Sequence, residues 1–235
     1  MSRSLLVGML AMCWATMAYA EAERGMLVSV GGTSGKTTYT TSDPNFSFLN
    51  GQLDHSTSGS ALAIAYAQVQ DGGFMFGGGY HSYQVGGQQG TNTTPGTCVT
   101  STGAKVPCTL TASLRTDELT ISGMFGMVGY DLGFADTWSF RPQLRIGLGN
   151  TAKFSGTVTA TINSSLGSSS AAAPVSASTS GTTAIIVLPV YVRFGKILAG
   201  LEYHSVGEQV TYTLGTDTIK ASISSATMLS FGYLF

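Results

Sequence analysis

Ser225-Ala-Thr-Met-Leu-Ser-Phe-Gly-Tyr-Leu-Phe235 decides how the rest of the chain reads. In an extended strand Thr227, Leu229, Phe231, Tyr233 and Phe235 share one face, and Ala226, Met228, Ser230, Gly232 and Leu234 the other, because successive side chains alternate. An aromatic stripe that runs to the last residue is hard to place in a soluble protein, whose final residues usually fray. It fits a strand whose outer face meets hydrocarbon and whose closing aromatics lie at a membrane interface. The competing arrangement is the buried last strand of a soluble sandwich.

The other end favours the membrane. Met1-Ser-Arg-Ser is a short basic segment, Leu5 to about Ala15 is apolar, and Ala18-Tyr19-Ala20 is an A-x-A cleavage site before Glu21. The expectation is a secretory signal peptide over residues 1–20, removed from a mature domain spanning 21–235. Met12 before Cys13 is too bulky for a lipid-attachment site. Nothing else approaches the roughly 18 apolar residues of a spanning helix. Charged residues are only 10% of the chain, against about 25% in ordinary domains. A barrel with lipid around it tolerates that scarcity. Net charge is −1, which gives no footprint for nucleic acid.

Period-two alternation recurs along residues 21–235 and predicts eight strands. They lie near Gly25–Thr33, Ser58–Gln70, Phe74–Val85, Ala112–Leu132, Trp138–Ile162, Thr182–Phe194, Leu201–Leu214 and Ile219–Phe235. The fifth is the clearest. Trp138, Phe140, Pro142, Leu144, Ile146 and Leu148 alternate with Ser139, Arg141, Gln143, Arg145 and Gly147, and the second set continues to Lys153. Short turns at Asp71-Gly72-Gly73, Gly133–Thr137 and Gly195–Gly200 alternate with long Ser/Thr/Gly/Pro-rich connections at about 34–57, 86–111 and 163–181. Short turns on one side and long loops on the other characterise outer-membrane barrels. The last link, Gly215–Thr218, is the short exception. Pro189 falls inside a strand, and a bulge is expected there because proline cannot donate to the ladder.

With the apolar stripes facing lipid, a lumen cluster of Arg141, Arg145, Arg193, Glu202 and His204 is expected, joined by Glu118. An eight-stranded barrel holds little beyond its own side chains, so these charges should pair and plug the bore. Cys98 and Cys108, an even pair in an exported chain, predict a disulfide.

Other motifs carry less. Gly31-Gly-Thr-Ser-Gly35-Lys36-Thr37 lacks the first glycine of a phosphate loop, since Val30 stands there, and no helical pattern follows. His204-Ser205 near Glu208 suggests a hydrolase, but strand neighbours face opposite ways. The pattern is only distantly similar to the lipid A deacylase PagL, and the activity is not carried over. His55, His81 and His204 are scattered and give no metal signature. Asn45, Asn92 and Asn163 head glycosylation-type triplets within predicted loops.

Signal segment, strand count, loop asymmetry and terminal Phe235 together resemble the small eight-stranded bacterial outer-membrane barrels, the group containing the OmpA membrane domain, OmpX and OmpW. The resemblance implies an all-β transmembrane up-and-down barrel in the outer membrane, with long loops outside and termini in the periplasm. It implies contact with outer-membrane lipid and lipopolysaccharide. It also implies that the barrel assembly machinery reads Leu229, Phe231, Tyr233 and Phe235. The expected role is non-enzymatic, without cofactor or metal: a scaffold whose loops serve envelope integrity, adhesion or host interaction. An OmpW-like passage for small hydrophobic compounds is the alternative, supported by inward Ala61–Ala67, Ile185 and Val187. A lipid-modifying enzyme ranks below both.

Overall fold

The computed structural model describes residues 23–41, 51–86, 88–135, 137–214 and 217–235. The expected signal segment and Asn45 lie outside them. The strands are β1 (Glu23–Thr41), β2 (Gly51–Val69), β3 (Phe74–Val85), β4 (Gln88–Val99), β5 (Lys105–Tyr130), β6 (Leu132–Ala135), β7 (Trp138–Phe140), β8 (Gln143–Ser164), β9 (Gly167–Phe194), β10 (Ile197–Leu214) and β11 (Asp217–Leu234).

Eight of them close a ring. Antiparallel pairing runs β1–β2–β3–β5–β8–β9–β10–β11, and β11 returns to β1 with Gly25 opposite Leu234. Closure removes free edges from the wall, which is what a lipid environment demands of a sheet. β4 folds back on the outer half of β5 as a hairpin. β6 and β7 pair with each other, and β7 continues the wall along β9.

The two faces of the wall differ as the alternation predicts. On β11, Leu229, Phe231, Tyr233 and Phe235 are each more than half exposed, whereas Met228, Ser230 and Leu234 are buried. Val28 and Val30 on β1, Leu62 and Ile64 on β2, Leu144 and Ile146 on β8, and Leu201 and Tyr203 on β10 repeat the exposed apolar stripe. Exposed apolar residues on every ring strand form one band, far beyond the patch a soluble monomer tolerates.

Where the strands depart from strict period two, bulges are the cause. β5 slips against β8 between Thr116 and Glu118. Leu114 and Thr116 are buried before the slip, and Leu119 and Ile121 after it. Gly149, at φ +70°, adopts a conformation costly to other residues. It supplies the extra residue opposite β9 that turns Asn150 inward. Pro189 needs no bulge, contrary to the sequence expectation. β7 and β8 are interrupted at Arg141–Pro142 directly across from it. Arg141 N donates to Pro189 O (3.2 Å), and no ladder donor is required of the proline.

The long connections are mostly paired strand. β1 and β2 stay paired, across a register shift between Thr33 and Gly35, out to Tyr39 opposite Gly51. β4 and β5 pair to Val99 opposite Lys105, and β8 and β9 to Ser164 opposite Gly167. Segments 34–57, 86–111 and 163–181 therefore carry ladder over much of their length rather than irregular loop. Backbone donors need partners wherever they lie, and threonine-rich stretches accept the extended form readily. The Cys98–Cys108 disulfide ties the β4–β5 hairpin, with Cα atoms 5.7 Å apart. On the opposite side β9 pairs with β10 only as far as Ile186 opposite Ser205. Among the described residues no strand pairs with that edge of β9 from Gly167 to Ile185.

Candidate functional site in the barrel interior

The interior is layered. Leu27, Ala65, Ala67, Met75, Phe125, Met127, Tyr191, Leu198 and Leu234 pack near the short-turn end. Toward the hairpins a larger apolar cluster includes Tyr83, Leu119, Ile121, Phe154, Ile185, Val187 and Ile223. A polar network lies among these apolar groups.

Glu202 is its node, with a side chain that is 0% exposed. Its Oε1 accepts from Tyr191 Oη (2.6 Å) and Ser29 Oγ (2.9 Å). Its Oε2 meets His204 Nε2 at 2.6 Å and Arg145 Nη2 at 3.4 Å. A carboxylate only accepts, so His204 donates through Nε2 and Tyr83 Oη donates to His204 Nδ1 (2.7 Å). Ser230 Oγ donates onward to Ser29 Oγ (2.9 Å). Arg145 also donates through Nε and Nη2 to Gln143 Oε1 (3.2 and 3.1 Å). Its guanidinium lies 4.9 Å from the Phe125 ring centre, a cation–π distance. His81 stacks on Phe125 at 5.3 Å and accepts at Nε2 from the Asn150 amide (2.9 Å). Gly123 and Gly147 leave the space that the Asn150 side chain fills.

The residues expected to form one lumen cluster are divided into two groups and an outlier. Arg145, Glu202 and His204 meet at the centre. Arg141 and Arg193 lie at the short-turn mouth, where Arg141 pairs with Asp131 (2.8 Å) and Glu23 (3.6 Å), and Arg193 with Glu23 (2.6 Å). Glu118 is on the outer face. The bulge after Thr116 reverses its direction, and it accepts from Thr120 (2.6 Å) instead of joining the lumen. Sequence reasoning missed Ser29, Tyr83, Gln143, Asn150, Tyr191 and Ser230, and treated His81 as isolated. Inward parity was a signal for each except Asn150, which the Gly149 bulge turns inward against its parity, but only closure of the ring brings β1, β3, β8 and β9 around one carboxylate.

Chemically the centre is a packed, hydrogen-bonded plug in which Arg145 Nη1, His81 Nδ1 and Asn150 Oδ1 have no protein partner among the described residues. His204 is buried while Ser205 is exposed, so the two cannot act on one substrate. Among the described residues no group of three or more His, Cys, Asp or Glu side chains is placed to hold a metal ion.

An antiparallel ring of eight strands, apolar outside and packed inside, is a transmembrane β-barrel of the outer-membrane type. That class follows from the ladder and the two faces of the wall. No family model matches the chain, and no curated protein does. Solved structures that align with it include Ail, the attachment invasion locus protein of Yersinia pestis, at 10% identity over 91% of this chain and 99% of that one, with a TM-score of 0.31. Neisserial surface protein A aligns at 10% identity over 92% and 100% of the two chains, with a TM-score of 0.37. The outer membrane protease OmpT of Escherichia coli aligns at 6% identity over 93% and 99%, with a TM-score of 0.38. Each is a protein that this chain is similar to, and the fold assignment stands on the strand pairing itself.

Proposed function

We propose that this chain is a non-enzymatic surface protein of a bacterial outer membrane, its barrel anchoring tall hairpins outside the cell for envelope integrity, adhesion or host interaction. The carrying observation is the contrast between a filled bore and strands that continue far past the apolar band. β9 has 28 residues, whereas crossing a bilayer takes roughly 9–11. The surplus is almost entirely exposed from Gly167 to Ser180, and residues 163–188 carry no charge. Such a surface recognises a ligand through hydroxyls and backbone rather than ionic contacts. Outer-membrane lipid and lipopolysaccharide would surround the exposed apolar band. The barrel assembly machinery would read the stripe of Leu229, Phe231, Tyr233 and Phe235. Two measurements test the reading. An epitope inserted between Ser164 and Gly167 should be labelled by antibody on intact cells, and the purified barrel should resist SDS and shift in gels on heating. An epitope reached only after lysis, or a protein that migrates identically before and after boiling, refutes it.

One observation favours the second reading, passage of small hydrophobic compounds. β9 and β10 stop pairing above Ile186 and Ser205, and inward Ala61, Ala63, Ile185 and Val187 belong to the apolar cluster on the hairpin side of the bore. Uptake of a hydrophobic fluorophore into proteoliposomes separates the two. The scaffold reading expects a rate equal to protein-free vesicles.

A further inference from the structure

On the hairpin side an open dent of about 320 Å³ lies where β5, β8 and β9 run side by side. Glu118, Lys153, Ser155, Ser176 and Ser178 are among its lining residues. The register puts them together: Glu118 and Ser176 each face Ser155 across a ladder, and Ser178 faces Lys153. Two bulges are needed for this. The slip after Thr116 turns Glu118 outward, and the slip at Gly149 turns Lys153 outward. Bulges commonly re-aim side chains beside functional sites, and here two of them bring an acid and a base to one patch of the outer wall.

The charges are exposed but not spent on each other. Glu118 and Lys153 are both exposed. Among the described residues Glu118 accepts only from Thr120 (2.6 Å), and Lys153 has no ion-pair or hydrogen-bond partner. Ser155, Ser176 and Ser178 have no hydroxyl partner there either. Arg115 and Asp117, nearby on β5, bind each other at 2.8 Å and add no net charge. A lone anion would meet Lys153 with Glu118 opposing it, and a lone cation the reverse. A ligand carrying both charges gains from each. The lysine ammonium and the serine hydroxyls offer several donors to its anionic end, which suits the oxygens of a phosphate. The exposed apolar run of β8 includes Leu144 and Ile146, and that of β9 Leu188 and Ile186. Lys153 and Ser178 lie a few ladder steps beyond it toward the hairpin, at the height of the polar interface. We propose that the dent binds a phosphoethanolamine headgroup, its ammonium at Glu118 and its phosphate at Lys153 and the serine hydroxyls. Phospholipid and phosphoethanolamine-bearing lipopolysaccharide both present that group. Presentation by lipid rests on the outer-membrane reading above, and the recognition chemistry does not.

The test uses the folded barrel in uncharged maltoside micelles, with the backbone amide NMR resonances of Ser176 and Ser178 as readout. O-phosphoethanolamine should shift them saturably. Ethyl phosphate and ethanolamine, each lacking one charged group, should bind about twofold to fivefold more weakly. Glu118→Gln should lower phosphoethanolamine to the affinity of ethyl phosphate, and Lys153→Gln to that of ethanolamine, with the heat-dependent gel shift intact in both. Native mass spectrometry of the barrel released from lipid nanodiscs identifies the source. Either phosphatidylethanolamine is retained over phosphatidylglycerol, or phosphoethanolamine-bearing lipopolysaccharide is retained over the unsubstituted form, and Lys153→Gln loses it. The proposal is overturned if phosphoethanolamine binds no more tightly than the two single-charge ligands, if the substitutions leave its affinity unchanged, or if neither lipid is retained. Failure of the outer-membrane reading would show separately, in the gel shift and in labelling of intact cells.

Discussion

Glu202→Gln is the sharpest single perturbation of the bore. The substitution keeps one carbonyl oxygen for the hydroxyls of Ser29 and Tyr191, which donate at 2.9 and 2.6 Å. It places an NH2 group against Arg145 Nη2, which can only donate, and against His204 Nε2, which would have to give up its proton to accept it. Arg145, 1% exposed, then retains Gln143 and the Phe125 face but no counter-charge. Removing one partner of a buried pair costs about 3–5 kcal/mol, because the other charge stays desolvated. Urea unfolding in lipid vesicles, followed by tryptophan fluorescence, should show a loss of that size. The double replacement Arg145→Met with Glu202→Leu should recover most of it, since a well-packed apolar pair is often neutral or stabilising. A double-mutant cycle isolates the coupling. Glu202→Gln within about 1 kcal/mol of the unaltered protein would refute the claim that this carboxylate holds the plug together.

Three further outcomes follow from other parts of the barrel. Val28→Arg, on the exposed apolar face of β1, should destabilise the barrel in lipid by up to about 2–4 kcal/mol, depending on depth, and an unchanged unfolding midpoint would contradict a lipid-facing Val28. Gly123→Leu drives a Cβ into the Asn150 side chain, and should break the Asn150–His81 bond, visible as a moved His81 imidazole resonance. Replacing Cys98 and Cys108 together with serine removes a staple worth about 2–3 kcal/mol in the chain-entropy model. Amide exchange in residues 88–111 should accelerate while the heat-dependent gel shift of the barrel persists, and loss of the shift would mean that the hairpin supports the wall.

Much of the fold was legible because the wall obeys one rule over long runs. The alternation of Trp138–Gly147 and the stripe ending at Phe235 announced which residues face outward, and the exposures of Leu144, Ile146, Phe231 and Tyr233 follow it; past the Gly149 bulge it inverts, with Lys153 exposed and Ala152 and Phe154 buried. The rule fails where the ladder slips. Glu118 was expected in the bore, and nothing in the residue types marks the extra residue after Thr116 that turns it outward. Pro189 looked like a local fault, yet its meaning is joint with Pro142 and depends on register: the gap after β7 is where Pro189 has no need of a donor. The central network was half visible. Charged residues of alternating strands stood out, whereas Ser29, Tyr83 and Tyr191 look like any small or aromatic strand residue until the ring closes. The length of the hairpins was hidden for a different reason. Serine- and threonine-rich sequence suits both solvated loop and solvated ladder, and the choice is made by the neighbouring strand.

The bare margin of β9 poses a hazard that one residue addresses. Unpaired strand margins invite stacking with whatever extended chain drifts near, and in a crowded membrane neighbouring molecules are never far away. Pro189 O and Arg193 N both point toward β7 and β8, so odd-numbered residues of β9 turn their amides that way and even-numbered ones turn theirs outward. Pro174, opposite Thr157, is even. Its missing N–H therefore falls on the bare side, where it costs the ladder to β8 nothing and interrupts the row of donors midway along the protruding stretch. Molecules crowded side by side would find that row broken, which works against their zipping edge to edge into a continuous sheet.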